Sequence, residues 1–214
     1  SKRIKNYFYD NVMHIGDNFY QNRYIYRLLT MPQIDVSDIF QDIHNFSYVL
    51  TKTDTPFMPK DFPNHYPMGR DLDILCANKS EYEKVIETIE RHIQQYADSF
   101  DVKRIKSSGS QEQEYRTRIR LQMGDYLILQ FDVGYQIEFL SPNIVEGMIN
   151  SRVEWKGCYI HSSQYDILIR LKEIHHHPNK LHHIKYVKEH KDAIDESLCD
   201  RYLSFNWREF IDRI

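Results

Sequence analysis

Six apolar residues, Tyr82, Val85, Ile86, Ile89, Ile93 and Tyr96, recur at the spacing of one face of a helix. They follow directly on an alternating run, Arg70 to Ala77 (RDLDILCA), which reads as a strand with Leu72 and Ile74 on one face and Asp71, Asp73 and Leu75 on the other. A strand that feeds straight into a helix with a long apolar stripe must lay that stripe on a sheet, so the chain is committed to a layered α/β arrangement. Ser80 with Glu83 is expected to form the capping box that starts the helix. Three extended segments are predicted after it, Asp101 to Lys106, Tyr115 to Met123 and Tyr126 to Gln136, the last two joined at Gly124-Asp125 as a hairpin. In the third, Leu127, Leu129, Phe131 and Val133 face one way while Ile128, Gln130 and Asp132 face the other.

The rest of the chain fits around that unit. Helical patterns run from Asp17 to Leu29 and from Asp35 to Asn45, and FSYVLT (Phe46 to Thr51) reads as a short strand. The following TDTPFMPKDFPNHYPMG holds four of the seven prolines and is expected to be an ordered loop. Val153 to Ile160 reads as a strand, and Ser162 to His175 and Lys180 to Leu198 as helices. The expected organisation is a helical cap over 1–45, a mixed-sheet core over 46–160 crossed by one long helix, and C-terminal helices over 161–214 packed on that core.

Composition narrows the function. The longest apolar runs fall far short of the ~20 residues that cross a bilayer, so no membrane role is expected. The first residues, SKRIKNYFYD, are charged with no apolar stretch after them, and three cysteines without CxxC spacing suit a reducing compartment, so a cytoplasmic location is expected. A net charge of −3 supplies no global field for nucleic acid. Sixteen tyrosines and 11 phenylalanines against only 7 glycines mean that side chains, more than glycine-rich loops, must hold any ligand.

Asp71, Asp73 and Asp132 are the informative residues. Two carboxylates on one strand face and a third on a later strand suit a hard cation such as Mg²⁺ or Mn²⁺, as phosphoryl or nucleotidyl transfer requires. GRDLDILC resembles the D-h-D motif of the DNA-polymerase-β-like nucleotidyltransferases, and LILQFDVGYQIEF resembles their third-carboxylate strand. Across Phe46 to Phe139 the order of segments is most similar to the uncharacterised bacterial nucleotidyltransferase-like families, which often end the first strand on a lysine, here Lys52. The resemblance implies a nucleotidyltransferase-type sheet, metal on Asp71, Asp73 and Asp132, Asp132 nearest the acceptor, and an NTP as donor. It implies phosphate binding around Gly69 and Arg70 as well, although Met68-Gly69-Arg70 carries one glycine and no serine where most of the superfamily have Gly-Ser at a helix N-terminus.

Lys52, Lys60 and Arg70, with Arg116 and Arg118, are the candidate replacements for that missing grip. Arg116, Arg118 and Arg120 share one strand face, where they are either phosphate ligands or the solvated side of an edge strand. The acceptor expected is a small molecule, ahead of tRNA or a protein side chain. Two other readings stay open: a catalytically inactive nucleotidyltransferase-like binding or regulatory module, and a glycosyltransferase using Asp71-Leu72-Asp73 as its D-x-D. The His175-His176-His177 run, with His182, His183 and His190 nearby, matches no standard ligand spacing. Cys76 reads as a small buried hydrophobe.

Overall fold

The structure is a computed structural model that describes residues 33–53, 58–97, 100–108 and 114–214, together with residues 22, 25 and 26. The helix expected from Asp17 to Leu29 lies outside the described residues apart from those three positions. The described elements are β1 (Gln33–Ile34), α1 (Ser37–Ile43), β2 (Tyr48–Thr51), β3 (Tyr66–Pro67), β4 (Arg70–Cys76), α2 (Lys79–Gln94), β5 (Asp101–Ser108), β6 (Glu114–Met123), β7 (Tyr126–Gly134) and α3 (Pro142–Asn150). β8 (Val153–Trp155), β9 (Cys158–Ile160), α4 (Ser163–His176), α5 (Leu181–Glu189), a 3₁₀ turn at Lys191–Ala193, α6 (Glu196–Tyr202) and α7 (Trp207–Arg213) follow.

Seven strands form one mixed sheet in the order β5-β6-β7-β4-β2-β9-β8, and β1 pairs with β3 in a separate two-stranded ribbon. β4 runs parallel to β7 and antiparallel to β2, so the strand bearing Asp71 and Asp73 lies in the interior of the sheet. α2 is the helix that the spacing predicts: Tyr82, Val85, Ile86, Ile89 and Ile93 are buried in the core cluster that also takes Leu72, Ile74, Phe131 and Val133 from the sheet. Each such side chain contributes roughly 1.5–3 kcal/mol by burial. α1 adds Ile39, Phe40 and Ile43 to that same core. On the opposite face Val49 and Leu75 meet Ile144, Met148, Leu168, Leu171, Val187, Trp207 and Ile211 from α3, α4, α5 and α7. The sheet is therefore a middle layer, covered by α1 and α2 on one side and by the C-terminal helices on the other.

Several sequence expectations change in detail. α2 starts earlier than the capping box at Ser80 would place it: Asn78 is the N-cap and accepts from the Glu81 N–H, while the Glu81 carboxylate accepts from the Ser47 N–H at 2.8 Å. The Ser80–Glu83 pair has the right spacing, but Asn78 sits where the chain leaves the strand. The span 153–160 is a hairpin, because Lys156 and Gly157 adopt φ of 53° and 77° and turn the chain. The long helix expected from Lys180 to Leu198 breaks into α5, the 3₁₀ turn and α6. α3 was not foreseen; it packs Gly147 against the Tyr165 ring of α4. β6 is not an edge strand, since β5 covers its outer side.

Candidate functional site at the carboxylate end of the sheet

Strand register assembles the site. Asp73 lies directly beside Asp132 on the parallel β4/β7 pair, Asp132 lies beside Arg118 on β6, and Thr51 lies beside Asp73 on β2. One step earlier on β4, Asp71 lies beside Gln130, which lies beside Arg120. These residues alternate with the buried Leu72, Ile74 and Phe131, so all of them project from the face opposite α2. Apolar contact from the C-terminal helices reaches Val49 and Leu75 on that face, and the polar rows begin just beyond it.

The cations are distributed among the acids. Arg116 forms a bidentate pair with Asp132, its Nε facing Oδ1 and its Nη2 facing Oδ2, and Arg118 Nε lies 3.3 Å from Oδ2. The Asp132 side chain is only 4% exposed, so without these guanidiniums it would be a buried and uncompensated charge. Arg120 donates to the Gln130 side-chain carbonyl. Lys52 Nζ stands 3.2 Å from Asp73 Oδ2. Its backbone is left-handed, φ 60°, a conformation that costs a side-chain-bearing residue roughly 1 kcal/mol. Burial works against the Lys52 charge, but the carboxylates of Asp73, Glu173 and Asp71 outweigh it and hold the ammonium above its ordinary value. Burial pushes the Asp73 carboxyl up from the usual range; Lys52 opposes this, and Asp132 and Asp71 reinforce it.

Lys52 and Asp73, with Thr51, form a wall shared by two cavities. The first is lined by Asp132 and Arg116 with Tyr115, Phe139, Ile169 and His177, and the second by Asp71 and Arg70 with Tyr66, Met58, Arg170 and His182. Asp71 is exposed and Tyr66 donates its hydroxyl to the Asp71 carbonyl. Lys60 is exposed and lines neither cavity. The Gly69 N–H, which the family resemblance would turn toward phosphate, donates instead to the Ile128 carbonyl at 2.8 Å. Gly69 sits in a turn at φ 79° leading into β4, and no helix lies between β2 and β4 among the described residues. The backbone donor that the phosphate role expected of Gly69 would use is thus taken by a strand carbonyl in this structure.

A second set of buried charges adjoins Lys52 and was missed in the sequence. Glu173 Oε2 lies 3.6 Å from Lys52 Nζ and 3.1 Å from His183 Nε2, and Glu173 Oε1 accepts from Lys180. Arg170 Nη1 lies 2.9 Å from His183 Nδ1, and Arg170 Nε lies 3.4 Å from Asp166 Oδ2. Burial opposes ionisation of Glu173, but the His183 contact, Lys52 and Lys180 prevail and hold its carboxyl far below the usual range. A signal was present: Asp166, Arg170 and Glu173 repeat at helical spacing on α4 among the apolar Ile167, Leu168, Ile169, Leu171 and Ile174, and charges within such a buried stretch must be internally paired. The three consecutive histidines pack mainly on aromatic rings, His176 and His177 both beside Phe139. His175 stacks on Phe205 at 4.1 Å, His176 packs beside Phe139, and His177 lines the first cavity. Burial raises the thiol of Cys76, as expected of a small hydrophobe.

No family model matches the sequence, and no curated protein is significantly similar to it. Two solved structures match part of the chain. A protein from H. pylori, described as a proposed nucleotidyltransferase, is 14% identical over 62% of this chain and 53% of its own, with a TM-score of 0.34. JHP933 from Helicobacter pylori is 15% identical over 62% of this chain and 51% of its own, with a TM-score of 0.31. The chain thus spans about half the length of each.

The donor set at the sheet end suits a hard cation, being three carboxylates on one face with two of them in lateral register. Among the described residues no three acidic, imidazole or thiol groups converge as they stand. Lys52 and Arg116 occupy the Asp73 and Asp132 oxygens, so any divalent cation would have to displace these two side chains.

Proposed function

We propose that this sheet end is a nucleotidyl-transfer site. In that reading Asp71, Asp73 and Asp132 hold Mg²⁺ or Mn²⁺, an NTP is the donor, and the acceptor is a hydroxyl or phosphate of a small molecule. The observation that carries the reading is the pairing of Asp73 with Asp132 across β4 and β7, with Asp71 two residues along the same face. A bound cation would supply charge neutralisation of the triphosphate and alignment of the attacking and leaving oxygens.

The protein's own groups divide the remaining work. Arg116, Arg118 and Lys52 are donors placed within a few ångströms of the carboxylates, and Arg70 borders the second cavity beside Asp71. Their transfer from carboxylate to phosphate stabilises charge on the donor. Arg116 occupies both Asp132 oxygens, so Asp132 can accept the acceptor's proton only once Arg116 has moved to phosphate. Nucleotide binding and unmasking of the base are then the same event. Tyr115 and Phe139 give the first cavity an aromatic lining that suits a nucleobase. Asp71-Leu72-Asp73 sits on an interior strand before which, among the described residues, only β2 belongs to the main sheet, and β2 runs antiparallel to it, so no parallel βαβ unit of that sheet precedes the motif, which disfavours a D-x-D glycosyltransferase.

Titration calorimetry with Mn²⁺ and NTP tests the reading. Wild type is expected to bind both, and Asp71→Asn and Asp73→Asn are expected to lose the metal-dependent part. Unchanged binding in both variants would remove the site assignment. The bonded Gly69 N–H and the neutralised Asp132 favour a second reading, an inactive binding module. That module would show no metal-dependent rise in Tm with millimolar NTP, whereas a site filled to 100 Kd gains about 2.7 kcal/mol.

A further inference from the structure

The Lys52 ammonium stands between two carboxylates, Asp73 of the sheet at 3.2 Å and Glu173 of α4 at 3.6 Å. Glu173 is 3% exposed, and its Oε2 has no hydrogen-bond donor among the described residues. Lys180 grips one oxygen, and His183 Nε2 faces the other at 3.1 Å. Arg170 Nη1 donates to His183 Nδ1, so the imidazole proton belongs on Nε2, near Glu173 Oε2 but out of hydrogen-bond geometry, and Oε2 is left buried without a hydrogen-bond donor among the described residues. Arg170 is itself pinned by Asp166 and by the Tyr186 ring, 3.8 Å away. Glu173 is thus a fixed charge, whereas Lys52 is a flexible stem with a point charge at its tip.

We propose that Glu173 is a positioning residue that receives the Lys52 ammonium when a divalent cation takes Asp73. This rests on the nucleotidyl-transfer reading and adds to it a way for the site to exchange counter-ions. With no cation bound, Lys52 neutralises Asp73. An incoming cation displaces a like charge from its own ligand, and that half-buried ammonium would otherwise be left unpaired beside the metal, an unfavourable state. The Glu173 carboxylate, already within reach, accepts it. Lys52 thereby stays at the wall between the two cavities, where its charge remains available to a phosphate.

A double-mutant cycle read by Mn²⁺ affinity in calorimetry tests this on the full chain, with wild type, Lys52→Met, Glu173→Gln and the double variant. Lys52→Met is expected to bind Mn²⁺ about tenfold more tightly, and Glu173→Gln about tenfold more weakly. In the Lys52→Met background, Glu173→Gln is expected to change nothing, because there is no ammonium left to receive. Equal weakening in both backgrounds, or none in either, overturns the proposal, since Glu173 would then act only through its field or not at all. Failure of all four proteins to bind Mn²⁺ overturns the metal site itself and the proposal with it, and this is distinct from an additive cycle in proteins that do bind. Should Glu173→Gln fail to fold by circular dichroism, Glu173→Asp replaces it. It keeps the charge for Lys180 and His183 while drawing it back from Lys52 by one methylene, and a weakening confined to the Lys52 background is again expected.

Discussion

Arg116 holds both carboxylate oxygens of Asp132 in a bidentate pair at the centre of the sheet, one strand away from the Asp73–Lys52 pair. Asp73 and Asp132, the two candidate ligands in lateral register, are thus each matched by a base of the same fold.

Arg116→Ala leaves Asp132 buried with Arg118 as its remaining cation. Loss of one member of a buried pair costs about 3–5 kcal/mol; with Arg116 39% exposed and Arg118 retained, a loss of about 2 kcal/mol is expected from urea unfolding. Asp132→Asn in the same background is expected to restore most of it, because the uncompensated charge is then gone.

Asp73→Asn is expected to match or exceed wild type in stability at pH 7 by up to about 1 kcal/mol while abolishing the nucleotidyl transfer proposed for this site. The raised Asp73 pKa means that the folded state binds this proton more tightly than the unfolded state does. The ionised carboxylate therefore costs stability above its folded pKa, and that cost fades as pH falls toward its ordinary range. Parallel melting and activity assays check both halves.

Glu173 titrates in the opposite sense. Its folded pKa lies below the unfolded value, so its contribution is fully present above the ordinary glutamate range and is lost as pH falls from about 5 downward. Glu173→Gln is expected to be less stable than wild type at pH 7 and to show a flatter acid limb in unfolding midpoints measured from about pH 6 to about pH 3.

Gly147→Ala places a Cβ 2.1 Å from the Tyr165 hydroxyl oxygen and 2.9 Å from Cζ of the same ring. Alanine is the better helix former by about 1 kcal/mol, yet the overlap with a rigid buried ring dominates, and a net loss of about 1–2 kcal/mol is expected from thermal or urea unfolding.

All three thiols are expected to be slow toward a disulfide reagent at pH 8 in the native protein and fast in denaturant. Burial pushes Cys158 up to about 12 and Cys199 up to about 11, and Cys76 is fully buried. Rapid native labelling of any one would show that its segment opens.

The elements most legible in the sequence were those whose pattern repeats over several turns or pleats. α2 was readable from Tyr82 to Ile93, and β4 and β7 from the alternation of Leu72 and Ile74 and of Leu129, Phe131 and Val133. Short or broken elements were harder. The hairpin at Lys156-Gly157 and the breaks between α5, the 3₁₀ turn and α6 depend on single backbone angles and on packing against neighbours, which a window of residue types averages away. The three aspartates were visible as candidates because a period of two puts Asp71 and Asp73 on one face. The spacing of Arg170 and Glu173 on α4 signals buried charge but not its partners, because Glu173 meets Lys52 and His183, and Arg170 meets His183, across segments remote in the chain.

The sequence by itself determined which residues face which way, because side-chain direction follows from the local period of strand or helix. It determined that two acids share one face of a strand and that a third stands on a later strand with buried neighbours. Only the tertiary structure decided that β4 and β7 run parallel in the register that sets Asp73 beside Asp132, that Arg116 and Arg118 serve as counter-ions to Asp132, and that Lys52 is shared with a helix. Register and charge pairing are settled by residues distant in sequence, where the need to bury each carboxylate with a cation selects among many arrangements that local patterns allow equally.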